Sequence, residues 1–337
     1  MSIYCEPFGT LSDGRKAEKW VMKEDGAQVS LITYGAAIQS LVIPDREGKA
    51  TDVVTGFDTA KEYEKSRLHF GATIGRCCNR IREGRFSIGG AGEYQLSINS
   101  PPHHIHGGFH GLDRKLWNAE IRGEALIMRC RCKDGEEGYP GNLDISLCFT
   151  FHMHTLRIQY SAISDRDTLC NLTNHTYFNL NGHGSGTILG HSVQIPADSY
   201  VPLDEEKLPL GYIRQVQGSL YDLRRKRPVS ADGERPEPLS VCYLPEGKGM
   251  RTHGWLYGDK SRISLHIRST MPALQYYTGY LIPKGTRGKE GMVYGPCQGL
   301  CLETQFVPDG VNHDAFIKPV LRRGEPYLQE TQYLFYA

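Results

Sequence analysis

The sequence predicts an all-β protein, organised as a single domain over residues 1–337, and three observations carry that reading. Apolar and polar residues alternate with a period of two in segment after segment. Helical periodicity is almost absent. Glycines (38) and tyrosines (19) are plentiful, which suits a chain made of strands and turns. Hydrophobic residues make up 39% and charged residues 23%, the balance of a globular chain long enough to bury a large core, not of a disordered or fibrous one.

Taken in chain order, the first element is the exception. DTAKEYEKS at Asp58–Ser66 reads as a helix of about two turns, because Thr59 and Glu62 have capping-box spacing. Arg85–Ile88 and Tyr94–Ile98 read as a hairpin turned at Gly89-Gly90, and Ala125–Lys133 as a strand. LDISLCFTFHM then places Leu143, Ile145, Leu147, Phe149, Phe151 and Met153 on one face of a half-buried strand. A turn at His154-Thr155 and the alternation of Leu156, Ile158 and Tyr160 make the return arm. The polar stretch Arg224–Gly249 reads as a long excursion between strands, with no change of pattern to mark a domain boundary. Arg262–Arg268 and Tyr327–Tyr336 complete the strand series.

The formal net charge of +1 provides no global field for nucleic acid or an anionic membrane and points to a neutral or weakly charged small ligand. No 18-residue apolar run is present, and MSIYCEPFGTLSDGRK lacks the basic start and apolar stretch of a signal peptide, so the expected compartment is the cytoplasm. The ten cysteines show no repeated CxxC spacing and read as buried small hydrophobes in a reducing environment. The basic run Arg224–Arg227 reads as a solvated loop.

Four segments hold polar residues that a β core does not need: CCNRIREGRF (77–86), HHIHGGFHG (103–111), TNHTYFNL (173–180) and CLETQFVPDGVN (301–312). An arginine placed like Arg80 is usually an ion-pair partner, and its fixed fork of donors also suits ligand hydroxyls. The four histidines at 103, 104, 106 and 110 lack the spacing of a metal site, so no metal is expected. His175 reads as a hydrogen-bonded structural residue or as a catalyst. Glu303, within the strand pattern CLETQF, either sits at an exposed edge or faces a polar cavity, since burying an unpaired carboxylate is costly.

The combination resolves these alternatives. In order and approximate spacing, across nearly the whole chain, the segments resemble those of the galactose mutarotase, or aldose 1-epimerase, family. The matches are NRI at Asn79–Ile81, HGG at His106–Gly108, NHTYFNL at Asn174–Leu180, YTG at Tyr277–Gly279 and LETQFVPDGVN at Leu302–Asn312. GNL at Gly141–Leu143, ADSYVPLD at Ala197–Asp204 and GEPY at Gly324–Tyr327 also look alike. The resemblance implies a large antiparallel β-sandwich with few short helices, and interconversion of the α and β anomers of a hexose such as galactose or glucose. Carried over residue by residue, it implies Glu303 as general base and His175 as general acid. Asn79, Arg80, His106 and Gln275 match sugar-binding positions, with Tyr177 a further contact.

Anomer exchange needs one group to take the C1 hydroxyl proton and another to protonate the ring oxygen, so no cofactor is implied. The implied partner is a monosaccharide, with neither nucleic acid nor membrane, and the protein a monomer or homodimer. Two alternatives stay open: an epimerase of another sugar, such as a disaccharide or a sugar phosphate held by Arg80 and the Arg224–Arg227 run, or a sugar-binding protein without turnover. The sequence also departs from the family. An aspartate contacting sugar hydroxyls is usual some twenty to forty residues before the position of Gln275, and THGW at Thr252–Trp255 is the nearest equivalent, with Thr252 in its place. Tyr280 follows YTG where the family has asparagine, and Cys297 stands where a histidine is common.

Overall fold

The computed structural model describes residues 1–89, 92–230 and 240–337. Two large antiparallel sheets form the body. The first has nine strands in the order Asn118–Arg122, Ala125–Cys132, Leu143–His152, Thr155–Ser164, Pro326–Tyr336, Ser264–Ser269, Arg251–Tyr257, Ser192–Gln194 and Arg227–Pro228. The second has six: Tyr177–Phe178, Leu300–Gln305, Ala273–Tyr277, Ser240–Tyr243, Ser199–Val201 and Arg214–Gln215. A five-stranded meander runs from Ser2–Thr10 to Ala50–Asp52. The one α-helix among the described residues is Ala60–Lys65, and it begins with the expected capping box: the Glu62 N–H donates to the Thr59 hydroxyl and the Thr59 N–H donates to the Glu62 carboxylate.

The alternation read from the sequence is the alternation of burial. Leu143, Ile145, Leu147, Phe149 and Phe151 are buried, while the residues between them are partly or fully exposed. The turn falls one residue earlier than expected, at Met153-His154, and the return strand starts at Thr155. Both turn residues have left-handed backbone (φ 47° and 54°), the geometry that matches strand twist in a two-residue hairpin. Met153, assigned from the pattern to the apolar face, is therefore 75% exposed at the tip. The hairpin forms with shorter arms than expected, Arg85–Ser87 pairing with Glu93–Gln95 and the chain leaving the strand before Ile98, with Gly90 of its turn outside the described residues. The excursion at Arg224–Gly249 contains two strands, one joining each large sheet, with residues 231–239 outside the described residues.

Leu274, Tyr276, Leu300 and Leu302 of the six-stranded sheet share one buried cluster with Ile158, Leu256, Leu265 and Tyr333 of the nine-stranded sheet. Burying such side chains contributes about 1.5–3 kcal/mol apiece. The two sheets therefore pack as a sandwich. This packing decides what the other face of the smaller sheet carries. Side chains alternate across a strand, so Glu303, between Leu302 and Thr304, and Gln275, between Leu274 and Tyr276, emerge on the side away from the nine-stranded sheet. Gln275 and Glu303 are also cross-strand partners, so they emerge side by side.

Candidate active site

A cavity of about 290 Å³ opens over that outer face. It is at the small end of the range for small-molecule sites, ~300–1,000 Å³. Glu303 and Gln275 form its floor, His175, His106 and Asn79 come to it from loops distant in sequence and Arg80 from the short strand Arg80–Ile81, with Tyr177 beside them.

His175 is held by its backbone. Its N–H donates to the Ala72 carbonyl (2.8 Å), its carbonyl accepts from the Gly71 N–H (3.1 Å), and the Asn174 amide donates to the Gly71 carbonyl (2.8 Å). The ring stacks on Tyr177, centroids 5.0 Å apart and planes 28° apart. Nδ1 lies 3.5 Å from the Cys301 thiol, and Nε2 lies 3.8 Å from Oε2 of Glu303. That oxygen is buried and makes no hydrogen bond, although a buried carboxyl normally finds partners. Burial pushes Glu303 up to about 8 and pulls His175 down to about 3, with the His69 ring adding to the latter. The pair therefore holds one proton between them at neutral pH.

His106 and Asn79 brace each other. The His106 N–H donates to the Asn79 carbonyl (3.1 Å), and the Asn79 N–H donates to Nδ1 of His106 (3.2 Å). An accepting Nδ1 places the proton of the neutral ring on Nε2. Burial and the neighbouring His69, His175 and Arg80 hold His106 well below the usual imidazole range, so it remains neutral. The HGG turn requires its glycine: at Gly107 φ is +87°, and a Cβ would lie 1.9 Å from the Gly75 carbonyl oxygen. The other histidines of that run point elsewhere, His103 accepting from the Glu83 N–H and His104 bonded to Tyr139 and the Ser97 carbonyl. Gln275 donates to the Ser240 hydroxyl (3.0 Å), and Asn79 donates to Gln275 (3.5 Å).

Thr252 does not belong to this site. It lies on Arg251–Tyr257 in the nine-stranded sheet, on the far side of the core, and its hydroxyl is 2.9 Å from Nε2 of His266. The strand in the same window that reaches the cavity is Ser240–Tyr243, and Ser240 is the side chain it places on the wall. A neutral hydroxyl thus stands beside Gln275. Tyr280 lines the cavity, as its place after YTG allows, but His69, Arg67 and Lys207 join it with no motif to announce them. His69 bonds through Nδ1 to the buried Asp113 carboxylate (2.9 Å), and its ring centroid is 5.1 Å from His106 and 5.7 Å from His175. Three residues of the Arg224–Arg227 run make local contacts: Arg224 pairs with Asp198 and Asp222, Lys226 sits 3.7 Å from the Tyr257 ring centroid, and Arg227 donates to the Leu220 carbonyl.

A β-sandwich that holds an unpaired carboxyl opposite an imidazole in a small polar cavity defines an enzyme built for proton transfer on a small ligand. The aldose 1-epimerase family model matches residues 18–334. Galactose mutarotase of Mus musculus is 40% identical, covering 99% of each chain, and aldose 1-epimerase of Escherichia coli K12 is 31% identical, covering 93% of each. The crystal structure of an aldose epimerase homologue from C. elegans aligns with TM-score 0.88 at 31% identity, covering 94% of this chain and 97% of that one. The chain belongs to the aldose 1-epimerase family.

Proposed function

We propose that the protein is an aldose 1-epimerase that interconverts the α and β anomers of a hexose, working as one domain over residues 1–337. The observation that carries the reading is the His175–Glu303 pair, 3.8 Å apart, on the floor of a monosaccharide-sized cavity.

The chemistry follows from the proton count. With the shared proton on His175, the Glu303 carboxylate takes the proton of the C1 hydroxyl while the imidazolium gives its proton to the ring oxygen. The C1–O5 bond breaks, C1 becomes an aldehyde, and the carboxyl now holds the proton. That neutral distribution is the one burial favours. After rotation about C1–C2, O5 attacks the opposite face of the aldehyde, its proton returns to His175, and the carboxyl gives its proton to the new C1 oxygen. Protons and electron pairs balance with no metal, nucleotide or covalent intermediate. His106, with its Nε2 proton, is a donor for the ring oxygen region, and Asn79, Gln275, Arg80 and Tyr177 complement the hydroxyls and the ring face. Each positioned acid or base contributes about 10²–10⁴-fold.

No helix among the described residues is long and apolar enough to cross a membrane. The ten cysteines are all free thiols, which supports a reducing, cytoplasmic location. We further propose that a monosaccharide is the only partner the reaction needs, with the protein acting as a monomer or homodimer. Saturation-transfer NMR of anomer exchange, run on glucose and galactose, tests the reading: acceleration over the uncatalysed rate is expected, and sugar binding without acceleration would leave a binding protein instead.

A further inference from the structure

The cavity carries more positive charge than the hydroxyls of a neutral sugar call for. Three cationic side chains line it, Arg67, Arg80 and Lys207, and Glu303 is the one acidic residue that does so among the described residues. None of the three cations forms an ion pair among the described residues, although most arginines nearby do. Two of the acidic residues beside Lys207 are committed elsewhere, Asp204 and Glu206 reaching Arg82 at 2.7 and 3.5 Å. Lys207 Nζ instead donates to the Tyr280 hydroxyl (3.2 Å), with its charge 5.5 Å from that ring centroid. Arg80 is half-buried, and burial, set against the nearby Tyr280, makes its charge harder to hold. Tyr280 thus brings Lys207 and Arg80 to one wall, with the exposed Arg67 at the mouth. A desolvated guanidinium without a counterion is a standing cost that a bound anion removes, and arginine's fork suits phosphate and carboxylate oxygens. Ser240 on the adjoining wall is neutral, and Glu303 is the one carboxylate lining the cavity among the described residues.

We propose that the preferred substrate is an aldose carrying an anionic group, phosphate or carboxylate, away from its anomeric carbon, held by Arg67, Arg80 and Lys207 while C1 lies between His175 and Glu303. This inference rests on the epimerase reading and specifies its substrate class. The anion binds without reacting, so the proton steps above are unchanged.

The test is saturation-transfer NMR of anomer exchange, with the uncatalysed rate subtracted. The substrates are glucose and galactose, their 6-phosphates, and glucuronic and galacturonic acids. At low ionic strength at least one anionic set is expected to exceed its neutral parents in kcat/KM by about tenfold or more, as two charge-assisted contacts would give. The advantage should shrink as salt is raised. Acceleration confined to the phosphates, or to the uronic acids, identifies which anion the cations hold. The double variant Arg67→Gln/Lys207→Met, checked for folding by circular dichroism, should lower the anionic-to-neutral ratio several-fold. Neutral sugars turned over as well as every anionic one, or a ratio unmoved by the double variant, would overturn the inference. No acceleration of any sugar would instead overturn the epimerase reading itself.

Discussion

His175 Nε2 and Glu303 Oε2 face each other at 3.8 Å, close enough to serve one small molecule and too far apart to satisfy each other with a hydrogen bond. Two buried, titratable groups are left waiting for a third party. Catalysis by this pair predicts that Glu303→Gln and His175→Asn each lower kcat/KM by about 10²–10⁴-fold. Polarimetry on freshly dissolved α-anomer checks it. Near wild-type rates in both folded variants would disprove the assignment.

The same pair sets a pH window. The active form holds one proton, so activity is lost when both groups are protonated, below about 3, and when both are deprotonated, above about 8. We expect kcat/KM to be level through neutrality and to fall on the alkaline side by about tenfold per pH unit above the upper limit. A decline centred near 6.5, the range of an ordinary histidine, would contradict it.

Glu303 also carries a stability penalty whose sign can be worked out. Its folded value of about 8 lies above the unfolded range of about 4.3, so between these pH values the folded chain binds the proton more tightly and stability falls as pH rises. The slope is about 1.4 kcal/mol per unit for one group. Glu303→Gln removes that slope. Denaturant titrations from pH 5 to 8 should show the variant gaining on the wild type by a few kcal/mol as pH rises. A constant difference across the range would refute this.

Much of this was readable in the sequence. Period-two alternation placed the strands, and the capping box placed the helix. The strand pattern of CLETQF left Glu303 facing a cavity as one of its two readings, while Gln275 came only from the resemblance, and the pairing of their strands brings the two side by side. The rest depends on long-range approach. His69 carries no periodicity and no motif, and only the loop contact that brings Asp113 to within 2.9 Å gives it a place. Thr252 was misassigned because spacing counts residues but not sheets: Ser240 and Thr252 are twelve apart, and the chain changes sheet between them. Lys207 and Arg67 belong to no sequence motif, and only their place on the cavity wall without an ion-pair partner among the described residues marks them out.

Gly107 links backbone geometry to the site. A side chain there meets the Gly75 carbonyl at 1.9 Å, in a region of φ that β-carbons avoid. Gly107→Ala should cost roughly 1–3 kcal/mol or more of stability and displace His106, which precedes it. Thermal melts and KM together check the claim. A variant with wild-type melting and wild-type KM would show that the turn relaxes freely.

His69 offers the finest adjustment of the proton pair. Its ring is 5.7 Å from His175 and anchored to Asp113, which the His69 ring and Arg114 hold ionised against the opposing effect of burial. The side chains that act electrostatically on His175 are thus His69 and Asp113, with Glu303 facing it and the neutral His106 at its other side. The His69 ring opposes a proton on His175, lowering that proton's cost of transfer to the ring oxygen. His69→Phe keeps a ring in place and removes the charge. The acid limb of the kcat/KM profile should then move to higher pH, because His175 binds its proton more tightly, while the alkaline limb set by Glu303 moves less. Equal displacement of both limbs, or of neither, would show that His69 only fills space.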